Sequence, residues 1–116
     1  MELFVVEGPD AGRSFALGPQ SVIGRDPTAS IHLTDEEVSR RHAIITIGEG
    51  QATIEDLRSF NGTRVGGAEV TDETPLQVGD VIRLGQTVLE LRERLGSEDP
   101  EELRPTKTSL RPPRPA

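Results

Sequence analysis

Ser39-Arg40-Arg41-His42-Ala43-Ile44-Ile45-Thr46-Ile47 joins a polar tetrad directly to an apolar run. The apolar half reads as a buried strand, and Gln51 to Asp56 answers it across a turn containing Gly48 and Gly50, which is a hairpin signal. The polar half puts a hydroxyl, two guanidinium groups and an imidazole where a loop enters that strand. A rigid strand presents such a loop well to a ligand. Arginine's planar fork matches phosphate geometry, and a neighbouring hydroxyl adds a donor. An acidic run, Asp35-Glu36-Glu37, lies directly upstream.

Outward from this hairpin the chain repeats short extended segments separated by turn residues. Leu3 to Glu7 and Arg13 to Leu17 flank Gly8-Pro9-Asp10-Ala11-Gly12. Ser21 to Arg25 follows and stops at Asp26-Pro27, because proline restricts the residue before it. Ser30 to Leu33 is short. Thr63 to Val65 and Ala68 to Val70 flank Gly66-Gly67, a two-residue primed turn that glycine makes accessible. Asp72 to Pro75 reads as loop. Val81 to Leu84 and Thr87 to Arg92 are joined by Gly85-Gln86. About ten strands of this kind, with no helical period among them, predict an all-β sandwich or barrel.

The 116 residues leave room for one domain and a tail. With three Phe, no Trp and no Tyr, the core has to come from Val, Ile, Leu and Ala. Up to Leu95, nine arginines face sixteen acidic residues, and the formal charge of −7 resides there. An acidic domain poor in aromatics does not suit nucleic acid, which calls for basic grooves and stacking platforms. Cysteine is absent, and the histidines and carboxylates lack ligand spacing, so neither a metal nor a cofactor is expected. Nothing resembles a signal peptide or a membrane span, which predicts a cytoplasmic protein. From Gly96 onward the composition turns proline-rich. The expected division is therefore a folded domain over 1–95 and a disordered tail or linker over 96–116.

Nucleotide binding and hydrolysis are the two other readings that the motifs invite. The glycine-rich turns lack the Gly-Lys-Ser/Thr ending of a phosphate loop, and no helix follows any of them. Ser39 and His42 could suggest a small serine hydrolase, but no third group or nucleophile elbow accompanies them. A structural imidazole bracing the loop is the better reading of His42.

Gly24-Arg25, then Ser39-Arg40-Arg41-His42, then Ser59-Phe60-Asn61-Gly62-Thr63, then Gly79-Asp80-Val81-Ile82 with Leu84-Gly85, taken in this order, resemble a forkhead-associated (FHA) domain over about residues 2 to 93. Gly66 departs from a common form of the family, which has asparagine in that turn. The resemblance implies an eleven-stranded β-sandwich of the FHA/SMAD-like kind that binds phosphothreonine on partner proteins and is no enzyme. It implies that Arg25, Ser39 and Arg40 hold the phosphate and that Asn61 bonds the peptide main chain. Gly24, His42, Gly62 and Thr63 would shape the loops. Glu36 and Glu37 would lie beside the peptide and disfavour acidic flanking residues. The partner would belong to a Ser/Thr protein kinase pathway. Thr106 and Thr108, if phosphorylated, would let one chain bind another. The rival reading is a scaffold of the same fold that binds an unphosphorylated protein surface.

Overall fold

Alternation of buried and more exposed residues is what shapes the molecule. Leu3 and Val5 of one strand, Ala43 and Ile45 of another, and Ile82, Leu84, Leu89 and Leu91 of two more are buried, while Phe4, Ile44, Arg83 and Glu90 between them are more exposed. The computed structural model describes residues 1–93, and these form eleven strands. They are β1 (Glu2–Glu7), β2 (Ser14–Ala16), β3 (Gln20–Gly24), β4 (Ile31–His32), β5 (Ala43–Gly48), β6 (Gln51–Asp56), β7 (Thr63–Val65), β8 (Ala68–Glu69), β9 (Thr74–Leu76), β10 (Val81–Leu84) and β11 (Thr87–Arg92). One sheet runs β2-β1-β11-β10-β7-β8 and the other β4-β3-β5-β6-β9. The expected β-sandwich is therefore the fold. Its single core is aliphatic, and each fully buried Leu, Ile or Val contributes roughly 1.5–3 kcal/mol relative to exposure.

One segment read as loop is a strand. β9 carries Pro75 and pairs only with β6, at the edge of its sheet. Proline cannot donate to a ladder, and at an edge that donor can be spared. The turn between β5 and β6 also differs in detail. Gly48 pairs with Gln51, and the two central residues are Glu49 and Gly50, both at positive φ. Gly66 and Gly67 do form the primed turn, with φ of 58° and 87°.

Strand register sorts the connections into two poles. Ile23 pairs with Ala43, Ala43 with Asp56, and Leu84 with Thr63. The loops after β3, before β5 and between β6 and β7, with the β10–β11 turn, thus gather at one end. At the other end Glu2 pairs with Arg92, and Met1, Gly50, Gln51 and Glu93 line a common recess. The division at residue 95, the tail over 96–116, and Thr106 and Thr108 lie outside the described residues.

Candidate functional site

The site begins with a close approach that only glycine permits. A Cβ on Gly24 would lie 1.9 Å from the Arg40 carbonyl oxygen and 3.0 Å from that of Ser39. The bare α-carbon lets two chain segments zip together: Arg25 N donates to Ser39 O and Asp26 N to Arg40 O, both at 3.1 Å. Arg25 is thereby fixed beside Ser39 and Arg40, which follow it by fourteen and fifteen residues.

Each of the three has one face committed and another free. The Arg25 Nε donates to Val38 O at 2.6 Å, which aims the exposed guanidinium and leaves its terminal nitrogens without a partner among the described residues. The Ser39 Oγ accepts from Phe60 N at 2.9 Å, so its own proton stays available to donate. Arg40 differs: its exposed guanidinium meets Asp26 Oδ2 at 3.2 Å. Asp26 is held down to about 2 by the backbone N–H of Thr28, then by the Thr28 hydroxyl, with Arg40 adding to them against some desolvation.

His42 is completely buried and ties two loops together. Ser39 N–H donates to Nδ1 at 3.0 Å. A backbone N–H can only donate, so Nδ1 is the bare nitrogen and Nε2 carries the proton, which goes to Gly62 O at 2.8 Å. Both ring nitrogens are thus engaged with backbone groups.

Asp56 lies outside the sequence motifs, yet the β6–β7 loop folds around it. It accepts from Ser59 N at 3.0 Å, from the Ser59 hydroxyl, and from the Thr63 hydroxyl at 2.7 Å. Burial pushes its carboxyl up. The hydrogen bonds from Ser59 and Thr63 outweigh this and hold it below the ordinary value. Thr63 is buried and serves Asp56. Gly62, at φ 82°, donates to Ser59 Oγ and accepts from His42. An acid three residues before a serine, at a strand end, was the available signal.

Asn61 Nδ2 donates to Glu37 O at 2.7 Å, so one amide hydrogen latches the β6–β7 loop to the β4–β5 loop. Its carbonyl oxygen has no partner among the described residues. The acidic run is split in its roles. Asp35 is buried and accepts from Glu37 N, Gln86 N and the Thr87 hydroxyl, so it is an anchor and does not face outward with its neighbours. Glu37 receives the Gln86 amide at 2.7 Å, and Glu36 is exposed without a partner among the described residues. A second buried carboxylate, Asp10, holds Thr34 through its backbone N–H and hydroxyl. Partners 24 residues apart left no local trace in the sequence.

Among the described residues no helix is long and apolar enough to cross a membrane. Comparison with known proteins is consistent across sequence and structure. The FHA domain family matches residues 21–85. The FHA domain-containing protein FhaB of Mycolicibacterium smegmatis is 41% identical over 92 residues, covering 78% of this chain and 59% of the relative. The oxoglutarate dehydrogenase inhibitor of Corynebacterium efficiens is 44% identical over 85 residues, covering 72% and 59%. This chain thus spans only about three-fifths of the length of these relatives. Among solved structures, a domain studied for phosphothreonine-dependent FHA interactions superposes with a TM-score of 0.73 at 39% identity, covering 81% of this chain and 96% of that one. The FhaA FHA domain, solved with the intracellular domain of Rv3910, gives 0.70 at 40% identity, covering 77% and 96%. On these matches, and on the loops that carry the same motifs in the same order, the chain belongs to the FHA domain family.

Proposed function

We propose that this domain binds phosphothreonine on a partner protein and catalyses nothing. Arg25, Ser39 and Arg40 take the phosphate, and Asn61 takes the peptide main chain through its carbonyl oxygen. The observation that carries the reading is the set of uncommitted donors at one pole: the terminal nitrogens of Arg25 and the hydroxyl proton of Ser39, each held in place by its other bond. A phosphothreonine brings −1.5 to −2 charges and three acceptor oxygens. Charge-assisted bonds contribute about 1.5–3 kcal/mol each. Two or three of them, less the cost of association, suit micromolar binding.

Arg40 contributes less than Arg25, because its guanidinium is shared with Asp26. Glu36 disfavours acidic residues on the side of the peptide that it lines, whereas the Glu37 carboxylate is taken up by the Gln86 amide. A hydrolytic role for Ser39 is disfavoured by His42, whose nitrogens serve Ser39 N and Gly62 O instead of the Ser39 hydroxyl. The protein acts in the cytoplasm, downstream of a Ser/Thr kinase. Calorimetry of the domain against a degenerate phosphothreonine peptide pool, its phosphoserine counterpart and its unphosphorylated twin tests the proposal. Saturable binding confined to the phosphothreonine pool is expected. Equal binding of the unphosphorylated pool would instead identify a scaffold surface.

A further inference from the structure

Arg64 on β7 and Arg83 on β10 stand directly opposite each other on neighbouring strands. Like charges so placed destabilise a sheet. Neither guanidinium meets a carboxylate within 4.0 Å among the described residues, and neither do those of Arg25, Arg41 and Arg58, but among these Arg64 and Arg83 alone stand in register with each other. Arg64 donates only to Gly67 O, at 3.3 Å. Arg83 has no side-chain partner among the described residues. Two unneutralised arginines face to face are unexpected in a domain where acids far outnumber bases.

The pair does not lie on open sheet. Arg64 and Arg83 line one recess together with Glu37, Asn61, Gly62 and Gly85. That recess adjoins Asn61, the residue assigned above to the peptide main chain. Its one acidic lining residue is Glu37. The Glu37 carboxylate takes the Gln86 amide. Glu69 is in register with Arg64 but directs Oε2 toward Gly62. Two guanidiniums with free N–H groups on adjacent strands form a broad donor surface for one anionic group, a carboxylate or a second phosphate.

Resting on the phosphopeptide reading, we propose that Arg64 and Arg83 form a second anion subsite, which takes an acidic or phosphorylated side chain of the same peptide beyond the residue at Asn61. Its preference is opposite in sign to that expected beside Glu36, so the domain reads charge differently on the two sides of the phosphothreonine.

The test is a charge scan. One phosphothreonine peptide with alanine flanks is compared, position by position along both flanks, with versions carrying a single Glu and versions carrying a single phosphoserine. Wild type is expected to bind at least one acid-bearing peptide about fivefold or more tightly than the alanine-flanked peptide, as for a charge-assisted contact. Whether Glu or phosphoserine gives the larger gain identifies the anion. In Arg64→Gln with Arg83→Gln that ratio should fall to one. In Arg92→Gln, whose side chain pairs with Glu90 at the far end of β11, it should persist. Glu69→Gln should raise it. No gain at any position, or a gain that survives in the double variant, overturns the subsite while leaving phosphate-dependent binding of the alanine-flanked peptide intact. Failure of the alanine-flanked peptide itself to bind wild type would overturn the parent reading and the subsite together.

Discussion

His42 Nε2 donates to Gly62 O across 2.8 Å and twenty residues of chain, so one neutral imidazole fixes the distance between the loop bearing Ser39 and the loop bearing Asn61. Its ring is fully buried and both nitrogens bond backbone, which makes it a structural strut. His42→Ala leaves Ser39 N and Gly62 O unsatisfied, at about 1–3 kcal/mol for a buried polar group. For a domain of this size each kcal/mol lowers Tm by about 4–8 °C. Thermal unfolding should therefore show a clear fall in Tm, with weaker phosphopeptide binding alongside it. Lost affinity at an unchanged Tm would mean that His42 touches the ligand.

Arg25→Ala and Ser39→Ala should each weaken phosphopeptide binding by about tenfold or more, the loss of one charge-assisted bond. Arg40→Ala should cost less, because Arg40 is already paired with Asp26. Calorimetry on the three variants, with melting curves to confirm folding, gives the order. An Arg40 effect larger than that of Arg25 would require a different phosphate position.

Gly24→Ala forces a methyl group to 1.9 Å from the Arg40 carbonyl oxygen, and backbone on both sides leaves no flexible atom to yield. We expect a destabilisation of about 2–3 kcal/mol or more, from overpacking against main chain, and loss of binding through separation of Arg25 from Ser39. Gly18 has open space around it and needs no left-handed conformation, so Gly18→Ala should be close to neutral. Urea unfolding of the two variants makes the comparison.

Asp56 sets an acid limit. Its folded carboxyl titrates below the ordinary 3.8, so its share of stability is present above that value and is lost as pH falls through the lower folded pKa. Melting curves from pH 7 to pH 3 should show wild type losing stability at the acidic end. Asp56→Asn should be less stable at neutral pH and flatter across the acidic range. Equal acid sensitivity in the two proteins would place the titrating group elsewhere.

The sheets were legible because short apolar-rich runs, such as Leu3 to Val6, Ala43 to Ile47 and Val81 to Leu84, are separated by turn residues, and because Gly66-Gly67 and Gly85 mark tight turns locally. β9 was not legible, since Pro75 in isolation argues against a strand and only its edge position admits it. In the site, Gly24, Arg25, Ser39, His42 and Asn61 stood out through contiguous motifs. Asp10 and Asp35 did not, because the groups they satisfy arrive from other loops: Asp35 meets Thr87 across 52 residues. Asp56 lies outside the motifs too, although its partners Ser59 and Thr63 follow it closely in the chain. Asp35 also shows the limit of reading charge as exposure. A carboxylate in an acidic run turned inward because three donors awaited it.

The pairing of Glu2 with Arg92 brings the entry and exit of this domain to neighbouring strands, at the pole remote from Arg25 and Arg40. Such a body can be lodged within a host polypeptide as readily as at its end, since the gap to be bridged is about 5 Å, the spacing of paired strands. Wherever it is grafted, the reading surface faces away from the graft. A sensor built by inserting it into the loop of a reporter would keep its ligand side unobstructed, with any strain of binding conveyed along β1 and β11.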